Sequence, residues 1–152
     1  MTLLDQVRSA LATSDLQEAL RLAMEHFGAD TGTIHLLEPD GVLHLKAASA
    51  GIPKPVLDAV QLVPIGKGMA GLAVQRKEAV TVCNLQTDSS GSARPGAKAS
   101  GMDSALVVPI LKNAAAIGAI GIANRAARAF TIEDTALLTD IGRAIGATAA
   151  EV

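Results

Sequence analysis

The sequence predicts an α+β fold in which helices at both chain ends flank an antiparallel sheet. Three observations carry this. Apolar residues recur at helical spacing near both termini, as in Leu16, Leu20, Met24 and Phe27. Between them the period changes to two. The strand-like runs are joined by short turn sequences, which make hairpins, and not by the long crossovers that parallel strands need.

Each element can be justified in order. Thr2-Leu3-Leu4-Asp5 reads as a capping box, followed by Leu4, Val7 and Leu11 on one helix face. A break at Thr13-Ser14 allows a second cap, with Ser14 and Gln17 three apart, and Gly28 is placed to end that second helix. Thr31 to Leu37 and Val42 to Ser49 read as strands joined by Glu38-Pro39-Asp40-Gly41. Strict alternation would put Leu43, Leu45 and Ala47 on one face, and His44 and Lys46 on the other. Pro53 and Pro55 open a short helix reaching Val60, and a strand near Leu62 to Pro64 follows. Val80 to Val82 is the next strand, with a polar loop from Asn84 to Gly101 behind it. Loops of that length are usually functional. Ala105 to Leu111 and Ile117 to Ala123 make a last hairpin around Lys112 to Ala116. Thr131 and Asp134 start the final helix, with Leu137, Ile141, Ile145 and Thr148 along one side.

Composition excludes several classes. The chain has 152 residues, enough for one core, and a hydrophobic fraction of 49% rules out disorder. No apolar run reaches membrane-spanning length, and the start, MTLLDQVRSA, has no signal-peptide pattern. The single cysteine cannot form an internal disulfide, which fits a reducing, cytoplasmic setting. Net charge is -2 with scattered Lys and Arg, so neither nucleic acid nor a membrane is an expected partner. Phe27 and Phe130 are the only aromatic residues of the Phe, Tyr and Trp set, so ligands held by ring stacking are disfavoured.

Gly66, Lys67, Gly68, Met69, Ala70 and Gly71 match G-x-G-x-x-G, the fingerprint of dinucleotide-binding βαβ units. That function needs a parallel sheet around the motif. Here a hairpin precedes it and another strand pair follows, so a tight turn is the better reading.

The order of elements and several local sequences resemble the GAF domain, a small-molecule sensor fold related to PAS. The resemblance runs from about Ser14 to Ala149 within a single domain of residues 1–152. It is carried by Gly28-Ala29-Asp30, Leu36 to Gly41, Ala50-Gly51-Ile52-Pro53, Ile65 to Gly71, Ser104 to Ile110, Ile117 to Ile122 and Phe130 to Asp134. It implies a six-stranded antiparallel sheet with the terminal helices on one face. Short helices and the long loop would cover a pocket on the other.

What the resemblance implies for function differs between family branches. Free methionine sulfoxide reductases use cysteine thiolates that attack the sulfoxide and resolve as a disulfide. This chain has Ala70 where that branch usually carries a cysteine, none in residues 96–104, and Cys83 alone elsewhere. Bilin-binding relatives need a linking cysteine and several aromatics. Cyclic-nucleotide relatives carry an N-K-x-F-D-E type motif, of which Asn84 and Asp88 remain without the Lys and Phe. The expectation is a non-catalytic sensor of an unknown small molecule, not an enzyme, with no cofactor identified. The rivals are a reductase-like enzyme and a dimerisation module without a ligand.

Candidate pocket residues are Thr33, His35 and Ser49 on the first hairpin. Met69, Ala70, Ser100 and Met102 map onto pocket-wall positions of the family. With a turn at Pro39-Asp40, His35 and His44 would lie opposite each other. They would serve either as an anion, metal or pH site or as two polar residues near a solvated edge. No Asp, Glu or Cys stands at third-ligand spacing, so no metal is expected. Cys83 reads as a small buried hydrophobe more readily than as a reactive thiol. In the family the terminal helices often pair between two chains. Leu4, Val7, Leu11, Leu137, Ile141 and Ile145 would supply a homodimer surface, with a separate output partner.

Overall fold

The structure is a computed structural model and describes residues 2–82 and 102–148. Local sequence sets the ends of its helices. Helix α1, Leu3–Leu11, begins at Thr2, whose hydroxyl accepts from the Asp5 amide while the Asp5 carboxylate accepts from the Thr2 amide. Helix α2, Leu16–Phe27, is capped by Asp15, which accepts from the Glu18 amide. The predicted cap at Ser14 is corrected by one residue. Ser14 takes a left-handed backbone (φ 58°) to turn the chain, leaving the next side chain to cap. Gly28 ends α2 at φ 62°, as its position implies.

Six strands form one sheet among the described residues. They are β1 (Thr31–Leu37), β2 (Val42–Ala48), β3 (Leu62–Pro64), β4 (Val80–Val82), β5 (Ser104–Lys112) and β6 (Ala115–Asn124). Their spatial order is β3-β2-β1-β6-β5-β4, and all pairs are antiparallel. The chain thus makes a hairpin, leaves to build α3 (Lys54–Ala59) and α4 (Gly68–Arg76), and returns to place β6 against β1. The last helix, α5 (Ile132–Thr148), has the expected entrance, with reciprocal bonds between Thr131 and Asp134. The turn between β5 and β6 is tighter than the predicted one, because Asn113 adopts φ 57° and the strands run on to Lys112 and Ala115.

A bulge in the first hairpin changes which side chains share a face. Ile34 pairs with Ala47 but His35 pairs with Leu45, so Lys46 is an extra residue in β2. The expectation that Leu43, Leu45 and Ala47 share one face is therefore corrected. Ala47 joins the cluster on the terminal-helix side, whereas Leu43 packs with Val63, Val74 and Ala119 on the opposite side. His35 and His44 are not opposite each other either, since His44 pairs with Leu36.

The main core lies between the sheet and α1, α2 and α5. Ile34, Leu106, Val108, Ile110, Ile120 and Ile122 from the strands meet Val7, Leu11, Leu20, Leu138, Ile141 and Ile145 from the helices. Of the six residues expected to form a homodimer surface, Leu4 and Leu137 are half-buried against this core. Val7, Leu11, Ile141 and Ile145 are fully or almost fully buried within the chain itself, because α1 packs on α2 and α5 while α5 packs on β5 and β6. Among the described residues no helix is long and apolar enough to cross a membrane.

The G-x-G-x-x-G turn lies between β3, at the sheet edge, and α4. Gly66 and Gly68 take positive φ (88° and 63°), which only glycine adopts without strain. The Gly66 amide donates to the Gly71 carbonyl at 2.9 Å. A Cβ on Gly71 would stand 2.4 Å from the Pro64 carbonyl oxygen. Tight chain reversal and close helix packing account for all three glycines.

Candidate functional site

The sheet face away from the terminal helices carries a pocket of about 150 Å³. Its floor comes from two rows of directly paired residues across the three strands β1, β6 and β5. One row is Thr31, Ala123 and Ala105, and the other is Thr33, Gly121 and Val107. Residues directly opposite in an antiparallel pair project to the same face. Small residues at the centre of both rows leave the space that larger side chains fill on the opposite face. The walls are Ile52, Pro53, Val56 and Val60 from α3 and its flanks, Met69 from α4, and Met102 before β5.

The lining is apolar apart from the two threonines, and none of the described lining residues is ionisable. A cavity of this size can hold a single-ring molecule.

The predicted site residues separate into two groups. Thr33, Met69 and Met102 line the pocket. His35, Ser49 and Ala70 do not, although each lies in a neighbouring layer. Ser49 accepts a hydrogen bond from the Gly32 amide at 3.0 Å and so ties the end of β2 to β1. Ala70 packs against the Leu43, Val63, Val74 and Ala119 cluster. Ser100 falls outside the described residues, as do Cys83, Asn84 and Asp88. Thr31 was legible by its period-two relation to Thr33. The α3 residues carried no sequence signal, because only the chain's return to the sheet brings them over β1.

His35 supports the pocket from outside. It is 3% exposed, and its Nε2 lies 2.8 Å from the Val60 carbonyl oxygen. Nε2 therefore carries the proton and donates, holding the end of α3 to β1. Nδ1 is buried without a hydrogen-bond partner. Burial lowers the His35 pKa below its ordinary value of 6.5, and the Val60 bond opposes that shift only in part. The unfolded chain then takes up this proton first. His35 contributes stability that is present above pH 6.5 and lost as pH falls from there through the folded pKa. The slope cannot exceed about 1.4 kcal/mol per pH unit for one proton. His35→Gln, which keeps a donor for Val60, is expected to flatten the urea-unfolding stability of the protein between pH 6.5 and pH 5 relative to wild type. Equal slopes would refute the assignment.

His44 has a separate role, with Nε2 2.7 Å from Asp40 Oδ2 at the hairpin turn. The Val42 amide and then His44 hold the Asp40 carboxyl below the usual carboxylate range. Among the described residues, no three His, Cys, Asp or Glu side chains come together in a metal-binding arrangement.

Comparison with known proteins agrees with this fold. The GAF domain family profile matches residues 14–148. The GAF domain of an Acinetobacter phosphoenolpyruvate-protein phosphotransferase has a similar structure. It is 19% identical, with 96% of this chain and 89% of that chain covered at a TM-score of 0.79. The free methionine-R-sulfoxide reductase of Neisseria meningitidis, solved in complex with its substrate, is also 19% identical. There 96% of this chain and 85% of that one are covered at a TM-score of 0.78. The type II free methionine-R-sulfoxide reductase of Thermoplasma acidophilum is 24% identical over 97% of this chain and 94% of that chain, with a TM-score of 0.71. No curated protein shows a significant sequence match to this chain.

These similarities correct the expectation that the chain is not an enzyme. Structures that resemble it across nearly its whole length include reductases as well as phosphotransferase GAF domains, so the fold gives no ground for excluding catalysis. With the family profile covering most of its length, the chain belongs to the GAF domain family.

Proposed function

We propose that this chain is a cytoplasmic small-molecule-sensing domain whose ligand lies in the pocket between β1, β5, β6 and α3. The observation that supports this is the contrast between the two sheet faces. One is filled by interlocking Leu, Ile and Val side chains, while the other is left open over Gly121, Ala123 and Ala105. β1 connects the two sides. Thr31 and Thr33 face the pocket, whereas a Cβ on Gly32 would strike Leu20 Cδ1 of α2 at 2.9 Å. A ligand that moves β1 must therefore move or strain α2. Signalling then follows if the ligand binds one α2 packing better than another.

Native mass spectrometry of freshly purified protein, against its denatured mass, tests this reading and gives the oligomeric state. A small molecule retained in the native state supports it. Ala105→Leu places bulk directly on the pocket floor and is expected to abolish that retention with little loss of thermal stability. Retention unchanged in Ala105→Leu would move the ligand elsewhere. Reduction of free methionine sulfoxide with a dithiol reductant is assayed beside it, because reductases share the fold. Turnover that disappears in Cys83→Ser would make the chain a reductase that depends on that thiol.

A further inference from the structure

We infer that the pocket takes an uncharged, mainly apolar ligand whose one hydroxyl or carbonyl group is held by Thr31 and Thr33. The inference rests on the ligand-binding reading above and adds the ligand's chemical class.

Two observations carry it. Thr31 is 7% exposed yet lines the pocket, and Thr33 stands beside it two residues along the same face of β1. Neither hydroxyl has a hydrogen-bond partner among the described residues. A nearly buried hydroxyl without a partner is unfavourable unless a ligand or water completes it. The Thr31 hydroxyl is not sealed off, since the fully enclosed unpartnered side-chain atoms among the described residues are His35 Nδ1 and Asn124 Oδ1. It therefore keeps accessible surface, on a residue that lines the pocket.

The second observation is where polarity and charge lie. All the hydrogen-bonding side chains of the described lining are on β1, and the facing walls present Ile52, Val56, Val60, Met69 and Met102. A ligand with one polar end is thus oriented, with that end on β1 and its apolar body under α3. No described lining residue can offset a buried charge. An ion would lose its hydration without compensation, at a cost far above that of a neutral group of the same shape. The ligand part that lies against these described residues is therefore neutral. The two methionines opposite the threonines supply flexible apolar contact that adapts to the ligand's shape.

The test uses four single-ring probes matched in shape: benzyl alcohol, toluene, benzoate and benzylamine. Each is titrated at pH 7 into protein labelled at its methionine methyl groups, and the Met69 and Met102 signals are followed by NMR. Benzyl alcohol is expected to bind roughly 3- to 10-fold more tightly than toluene, the worth of one neutral hydrogen bond. Benzoate and benzylamine are expected to bind at least about tenfold more weakly than benzyl alcohol. Thr31→Val and Thr33→Val should each reduce the preference for benzyl alcohol and leave toluene affinity unchanged. Thr33→Ser, which keeps the hydroxyl, should retain the preference.

A charged probe binding as tightly as benzyl alcohol would overturn the neutral class. A preference that survives both valine variants would overturn the threonine anchor. In both cases the ligand-binding reading would stand. If no probe moves either methionine signal up to its solubility limit, the neutral apolar class is overturned, while the ligand-binding reading is decided separately by the native mass.

Discussion

Leu106→Ala is expected to lower the unfolding free energy by about 2–5 kcal/mol, the range seen when a fully buried leucine is truncated. Leu106 has no exposed surface. It sits in β5, paired with Thr81 of β4 on one side and Ile122 of β6 on the other. Its side chain belongs to the cluster between the sheet and the terminal helices. β6 is also held by its ladder with β1, and the helices pack on the other side of the cluster, so little can collapse into the space left behind. The variant therefore loses the transfer energy of the removed atoms and also keeps a cavity. Urea unfolding followed by circular dichroism measures this as a lower midpoint with an unchanged slope. Leu62→Ala is the matched control. Leu62 is 54% exposed on the edge strand β3, and its loss should change stability by no more than about 0.5 kcal/mol. Equal losses in the two variants would mean that the sheet does not pack on the terminal helices as described.

Gly146→Ala is expected to destabilise the protein although alanine is the better helix former. In an unconstrained helix interior the exchange would favour folding by roughly 1 kcal/mol. Here the added Cβ would stand 2.4 Å from the Leu111 carbonyl oxygen and 3.0 Å from its carbon. Those atoms are backbone and cannot swing aside. Gly142, one turn earlier, meets the Pro109 carbonyl at 3.2 Å in the same way. The two glycines let α5 lie directly on the β5 backbone, so relief requires the helix to lift by roughly 0.5–1 Å across that contact. Overpacking of this kind costs about 1–3 kcal/mol, which exceeds the propensity gain or at least cancels it. Thermal unfolding decides the sign, and a raised melting temperature would sink the argument. Gly28→Ala separates steric from backbone effects. Nothing lies within 4 Å of a Cβ there, so its cost would be only that of a left-handed alanine at φ 62°.

The candidate site was only partly legible before the structure. The threonines of β1 follow from period two, and the methionines followed from the family resemblance. The His35 partner was not legible, because the Val60 carbonyl lies 25 residues away and no local pattern marks it. Cysteine counting also led to the expectation of a non-enzyme. The fold's presence in reductases corrects this, since residue types alone do not say what a pocket does with its ligand.

The sequence by itself determined what a few neighbouring residues decide among themselves. Thr2 with Asp5 and Thr131 with Asp134 fix helix starts, Gly28 fixes a helix end, and Asp40-Gly41 lies in the first hairpin turn. These devices act within four residues, so their spacing is their mechanism. The tertiary structure alone decided the register and the partners. β1 is paired on both sides, by β2 and by β6, and Lys46 is an extra residue in its pairing with β2. That one bulge sends Ala47 to the helix face, keeps Leu43 on the other, and separates the two histidines. Much of the helix surface expected to pair between two chains is buried within this one, α1 against α2 and α5 and α5 against β5, because burial is non-directional and the nearest apolar face satisfies it. The pocket belongs to the same category. It forms where small residues from β5 and β6 meet threonines from β1 under a helix from a different stretch of chain.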